Sequence, residues 1–301
     1  MNQGPLVFLG IFVTLVTSWF GMIFVPQAQV GNLQPVKAEV SGGLYPAAKS
    51  GMAQQGAEVY RQQGCYYCHS QQIRQSGVHF DVILIKAGSN TNDLIKAIAK
   101  HNGQFGEAAL RKLIQGTPVE VLSGVTLEEA EKLNNEIGAI KVTDDSNPQS
   151  TYRAVAQGAD FDREWGARRT VAPDYLFERT PMLGELRVGP DLTNIGSRQT
   201  NAVWHLTHLY NPKLVAEGSK MPPYKFLFEK RKKGHVASPD ALTLPDIEPD
   251  MEVVPTQDSK VLVAYLLSLK TTTPIFETPM PPVIKKEQPA TNDTAKAATA
   301  P

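Results

Sequence analysis

RQQGCYYCHS, residues 61–70, holds the two cysteines of a chain of 301 residues, two positions apart and with a histidine directly behind them. Three chemistries use such a pair: thiol–disulfide exchange, half of a zinc site, and covalent attachment of a haem. An exchange pair sits at the start of a helix after a buried strand. Here the preceding GMAQQGAEVYRQQG (51–64) shows helical spacing at Ala57 and Tyr60 and no strand. A structural zinc site needs four ligands, usually from a second Cys pair or a His pair three to five residues apart. No cysteine remains, and His205 and His208 are too closely spaced for the usual finger.

Haem attachment uses every element of the motif. Cys65 and Cys68 stand one turn apart, so both thiols reach vinyl groups on one porphyrin edge, and His69 lies under the iron as proximal ligand. Such a pocket needs a closing helix and a sixth ligand. DSKVLVAYLLSLK (258–270) has the apolar spacing of that helix, with Val261, Tyr265 and Leu269 on one face, and is expected to cross the helix bearing Gly56 and Tyr60. The candidates for the sixth ligand are Met182, Met221, Met251 and the remaining histidines; Met221 stands in the Pro-stiffened loop GSKMPPY ahead of that helix, while Met182 and Met251 read as packing or surface residues. In RVGPDLTNIG (187–196) the carbonyl of Pro190 is a candidate acceptor for the second ring N–H of His69, the alternative being a plain Gly-Pro turn.

The ends of the chain bound the rest. No charged residue precedes Lys37, and PLVFLGIFVTLVTSWFGMIFV (5–25) is almost wholly apolar. At roughly 1.5 Å per residue it crosses a hydrocarbon core of about 30 Å as a helix. A cleaved signal would have a basic start and a shorter apolar core, so a retained anchor is expected. Too few Lys or Arg flank the segment for charge to set its orientation. Thirty basic and thirty acidic side chains balance at a pI near 7.0, which excludes general attraction to nucleic acid. The Pro-, Thr- and Ala-rich tail 271–301 reads as disordered.

Several stretches in order, GPLVFLG (4–10), VYRQQGCYYCHSQQIR (59–74), EWGARRTVAPDY (164–175), GPDLTNIGSR (189–198), WHLTHLYNP (204–212), SKMPPYKFLFE (219–229) and VVPTQDSKVLVAYLLSLK (253–270), together resemble the mono-haem subunit (CcoO, also called FixO) of cbb-type cytochrome c oxidases, the C family of haem-copper oxygen reductases. The resemblance covers roughly residues 4–78 and 160–270. It implies a cytochrome c domain on one transmembrane helix in the bacterial inner membrane, facing the periplasm with the N terminus inside. Its one covalent haem c would pass electrons from a di-haem cytochrome c subunit or soluble cytochrome c to the catalytic haem-copper subunit, with no bond chemistry of its own. By the same resemblance Cys65 and Cys68 are the attachment points, His69 the proximal ligand and Met221 the distal one. Arg168 and Arg169 are candidates for the haem propionates, against a solvated face or a subunit contact. His205 and His208 are expected as structural groups, and EKRKKGH (229–235) as an exposed basic loop. A membrane-anchored carrier or haem sensor acting alone is the competing reading.

Between these stretches, FDVILIKAG, NDLIKAIAKHNG, GEAALRKLIQGTP, VEVLSG, VTLEEAEKLNNEIGA and IKV follow one another in the order βααβαβ by periodicity. Residues 80–142 are similar to the C-terminal domain of the bacterial ribosomal stalk protein, with Lys96 kept but the lysine-rich start of the second helix replaced by GEAAL. A docking module or spacer is expected. The fold class is therefore mostly α: a transmembrane helix and flank (1–36), a class I cytochrome c domain in two parts (37–78 and 144–270), an inserted α/β domain (79–143) and the tail (271–301).

Overall fold

The computed structural model describes residues 3–38, 42–142, 146–245, 247–275 and 278. The chain forms two compact units, Met1–Gly77 with Ala156–Met280, and Val78–Val155.

The first unit opens with helix α1, Gly4–Val30, 27 residues with no buried side chain, long and apolar enough to cross a membrane. Pro26 has no N–H to give to the carbonyl of Met22, and the turn over Phe20–Phe24 widens so that Val25 N–H reaches back to Phe20. A minimal antiparallel pair, β1 (Val36–Lys37) and β2 (Leu44–Tyr45), follows. Helix α2, Gly51–Gln62, buries Gly56, Val59 and Tyr60 and ends before Gly64, which takes the left-handed conformation at φ 68°. Gly64 thereby turns the chain into the Cys65–Tyr67 turn at a conformation only glycine adopts without strain.

The second unit begins on β3 (Gly77–Lys86) and runs through α3 (Thr91–His101), α4 (Glu107–Leu113), β4 (Val119–Val125), α5 (Leu127–Gly138) and β5 (Gln149–Gln157), with strand order β4-β3-β5. Asn90 caps α3, and a Thr126–Glu129 capping box starts α5. Val82, Leu84, Leu94, Ile98, Leu133 and Ile137 form a core of their own. The expected element order is present, but its last strand is not IKV (140–142). It is QSTYRAVAQ (149–157), and the unit extends to Val155 instead of ending at 143. Tyr152 packs edge-on against Phe80 on the helical side, while Arg153 pairs with Asp81 and Glu120. Ser76 N–H donates to Gln157 C=O at 2.8 Å, so the chain leaves and re-enters the first unit at neighbouring residues.

Back in the first unit come α6 (Ala202–Tyr210), the antiparallel strands β6 (Phe228–Lys232) and β7 (Met251–Pro255), and α7 (Gln257–Ser268), capped by Thr256. Most of the expected basic loop is thus a paired strand. Helix α7 buries Val261, Leu262, Tyr265 and Leu266 and crosses α2, where the Tyr60 and Tyr265 rings lie 5.3 Å apart. Met182, Leu209, Leu227 and Val253 complete this core. The domain also outlasts the expected boundary at 270: Thr271 N–H meets the Thr193 carbonyl and Ile275 is buried. The expected disorder beyond Thr278 lies outside the described residues.

Candidate haem-binding site

The motif folds as a tight turn. Tyr67 N–H bonds to Gly64 C=O, and Cys68 and His69 N–H both bond to the Cys65 carbonyl, at 3.2 and 3.0 Å. Both thiols are free, Cys65 half-buried and Cys68 exposed. Burial pushes the Cys65 thiol up to about 12. An exchange-active cysteine has its pKa lowered instead, a direction opposite to that of Cys65.

A second strand of chain is laid against this turn. Glu185, Leu186 and Gly189 N–H bond to the carbonyls of Tyr66, Tyr67 and Cys68 at 3.1, 3.1 and 2.9 Å. The next residue, Pro190, presents its carbonyl 2.8 Å from His69 Nδ1. That contact assigns the proton to Nδ1 and leaves Nε2 its lone pair, the form in which imidazole binds a metal. Burial holds His69 below its usual range, which keeps the ring neutral. A Cβ on Gly189 would stand 2.3 Å from His69 Cε1 and 2.6 Å from Nδ1, so only glycine lets the backbone lie flat on the ring.

Asp191, fully buried, locks the two strands together. Its carboxylate accepts from Ser70 Oγ, Gln72 N and Thr193 N at 2.7, 2.8 and 2.8 Å. Sequence reasoning passed over this residue. The available signal was an Asp followed two residues later by Thr, directly after a Gly-Pro step, a pattern that bonds its own backbone.

The other side of the site comes from α6 and the loop after it. Asn201 caps α6 by accepting from Val203 and Trp204 N–H. His205 is buried with Nε2 2.9 Å from the Gln199 carbonyl. His208 stacks on Trp204, with centroids 4.8 Å apart and planes 8° apart. Burial first, then the nearby His69 and His205, lowers its pKa to about 4. Met221 is half-buried and packs on the same apolar cluster as Cys65, Leu192, Ile195 and Tyr224. The fold thus gathers Cys65, His69, Pro190 and Met221 within one unit, whereas Met182 belongs to the core and Met251 to β7.

Arg168 is a correction. Arg168 is buried, and its guanidinium spends every N–H inside the protein: on Thr273 C=O, on Arg169 C=O, on Tyr45 Oη, and as a fork on both oxygens of Asp174. It has no donor left for a propionate. The Arg169 side chain is exposed, and its carbonyl serves Arg168.

The donor set fits a haem: a neutral imidazole with one nitrogen held and the other open, two free thiols on the same turn, a glycine pressed on the ring, and a thioether brought to the same cluster. Such a set fits the class of haem-binding proteins, and among the described residues one helix, α1, is long and apolar enough to cross a membrane. Residues 160–271, which include Met221 and α7, match the family described as cytochrome c oxidase, mono-heme subunit/FixO. The match lies C-terminal to the Cys65–His69 motif. A search of curated proteins returns no match. The family so described is the mono-haem subunit of a cytochrome c oxidase.

Proposed function

We propose that this protein is a membrane-anchored c-type cytochrome of a cbb-type oxidase, receiving electrons from a di-haem subunit or a soluble cytochrome c and passing them to the catalytic haem-copper subunit. The anchor is α1, the cytochrome domain faces the periplasm, and the inserted unit serves as a docking module or spacer. The observation that carries the reading is the His69 ring, held at Nδ1 by Pro190 and open at Nε2, directly after two free thiols.

In this reading Cys65 and Cys68 would hold the haem by two thioether bonds. His69 would ligate the iron, and the Pro190 carbonyl sets its tautomer, fixes its rotation and raises its basicity. Met221 would be the second protein ligand; a thioether paired with an imidazole favours a high reduction potential. A haem bound here supplies a one-electron ferric/ferrous couple. The chain's own work is to keep both ligands in place so that little reorganises when the charge changes. The buried Asp191 clamp and the α2–α7 crossing serve that end.

Purification of the native complex tests the proposal. Co-purification with chains that carry haem b and copper, together with haem that stays on this chain after denaturation, is the expected result. A lone haem protein would favour the stand-alone carrier. A chain that releases its haem on denaturation would remove the covalent reading.

A further inference from the structure

Two histidines of α6 stand one turn apart and differ in one respect. His205 is satisfied by the Gln199 carbonyl, whereas the Nδ1 of His208 is buried without a hydrogen-bond partner. Leaving such a group unpaired costs stability. Stacking on Trp204 holds the ring plane. A backbone tie brings the sixth-ligand loop to this helix: Tyr224 N–H donates to the Leu209 carbonyl at 2.8 Å, drawing the segment after Met221 onto the last turn of α6, which carries His208. Leu206 and Tyr210, which flank His208 on that helix, pack on the cluster that also receives Met221.

We infer that His208 is a positioning residue for the sixth ligand: in the haem-loaded protein its Nδ1–H donates a hydrogen bond to the thioether sulfur of Met221. The inference rests on Met221 being that ligand, as proposed above. Sulfur whose electron density is drawn toward an N–H gives less of it to ferric iron. His208 therefore favours the ferrous state, raising the potential, and loosens Met221 in the ferric state.

The test uses the full-length holoprotein in detergent with two variants. His208→Phe keeps a stacked ring and removes the donor; His208→Gln keeps an N–H. Expected is retention of covalent haem in both. In His208→Phe the ferrous-to-ferric ratio at fixed applied potential falls about threefold, or ~28 mV at 59 mV per tenfold for one electron. The sulfur-to-iron band of that variant also persists to higher pH than in the wild type, and His208→Gln stays near the wild type in both readouts. Equal potentials and equal band-loss pH in wild type and His208→Phe overturn the inference. Should His208→Phe fail to accumulate as holoprotein, the ferrous wild type decides by NMR. A nuclear Overhauser contact between the ring-shifted Met221 methyl and the His208 ring is expected, and its absence with that methyl resolved overturns the inference. A wild type with neither the shifted methyl nor the sulfur-to-iron band overturns the Met221 assignment first, and the inference with it.

Discussion

Gly56 and Val261 meet backbone to backbone: a Cβ on Gly56 would lie 1.9 Å from the Val261 carbonyl oxygen and 2.7 Å from Tyr265 Cβ. Neither obstacle is a flexible side-chain end, so even one methyl must push α2 and α7 apart. We expect Gly56→Ala to destabilise the holoprotein by about 1–3 kcal/mol, the usual cost of overpacking, and Gly56→Val to prevent its accumulation. Thermal unfolding followed at the haem band measures the first; an unchanged melting temperature in Gly56→Ala would show that the helices are not in contact there.

Gly189 makes the same kind of contact with the proximal ring. Alanine there must rotate His69 and stretch its bond to Pro190, since the new Cβ starts 2.3 Å from Cε1. Gly189→Ala is expected to keep haem on the chain through Cys65 and Cys68 while shifting part of it to a high-spin spectrum. A wholly low-spin spectrum with unaltered potential would mean that the ring does not depend on this contact.

Met221→Ala should abolish the weak sulfur-to-iron absorption band near the red end of the visible spectrum and leave covalent haem in place. If that band survives, another residue is the ligand.

Arg168 and Asp174 form a buried ion pair, with side chains 1% and 3% exposed. Removing one partner strands the other in a dry site, at a cost of about 3–5 kcal/mol. Arg168→Ala should therefore lower the unfolding temperature sharply, while at temperatures where the variant is folded its potential matches the wild type. A propionate partner would behave in the opposite way, shifting the potential at small cost in stability.

The second unit has its own core, and its flanking residues Ser76 and Gln157 are hydrogen-bonded to each other. Replacing residues 78–155 by a short Gly/Ser bridge should preserve haem attachment and the His69/Met221 spectrum. Separately expressed, residues 77–157 should fold, as judged by dispersed amide resonances. Loss of covalent haem from a well-expressed deletion would show that the segment belongs to the cytochrome core.

Local chemistry was legible in the sequence. The spacing of Cys65, Cys68 and His69 is a property of one turn, the apolar run of α1 of one helix, and the periodicities of β3 to α5 of single elements. Each follows from residues adjacent in the chain, so no knowledge of distant partners was needed. What tertiary structure decided lies where segments far apart in sequence meet. QSTYRAVAQ is too polar to announce a strand, and it becomes one because β3 offers an open edge for its backbone. Ile275 is buried although its surroundings read as a tail. An arginine pair looks alike whether it faces solvent or a carboxylate; only folding brought Tyr45, Asp174 and Thr273 around Arg168 and exhausted its donors. His205 and His208 likewise share a helix, and the difference between them is set by what lies opposite each. A polar group's role depends on which partners satisfy it, and those partners are supplied by the packing of elements that the local sequence around the group does not contain.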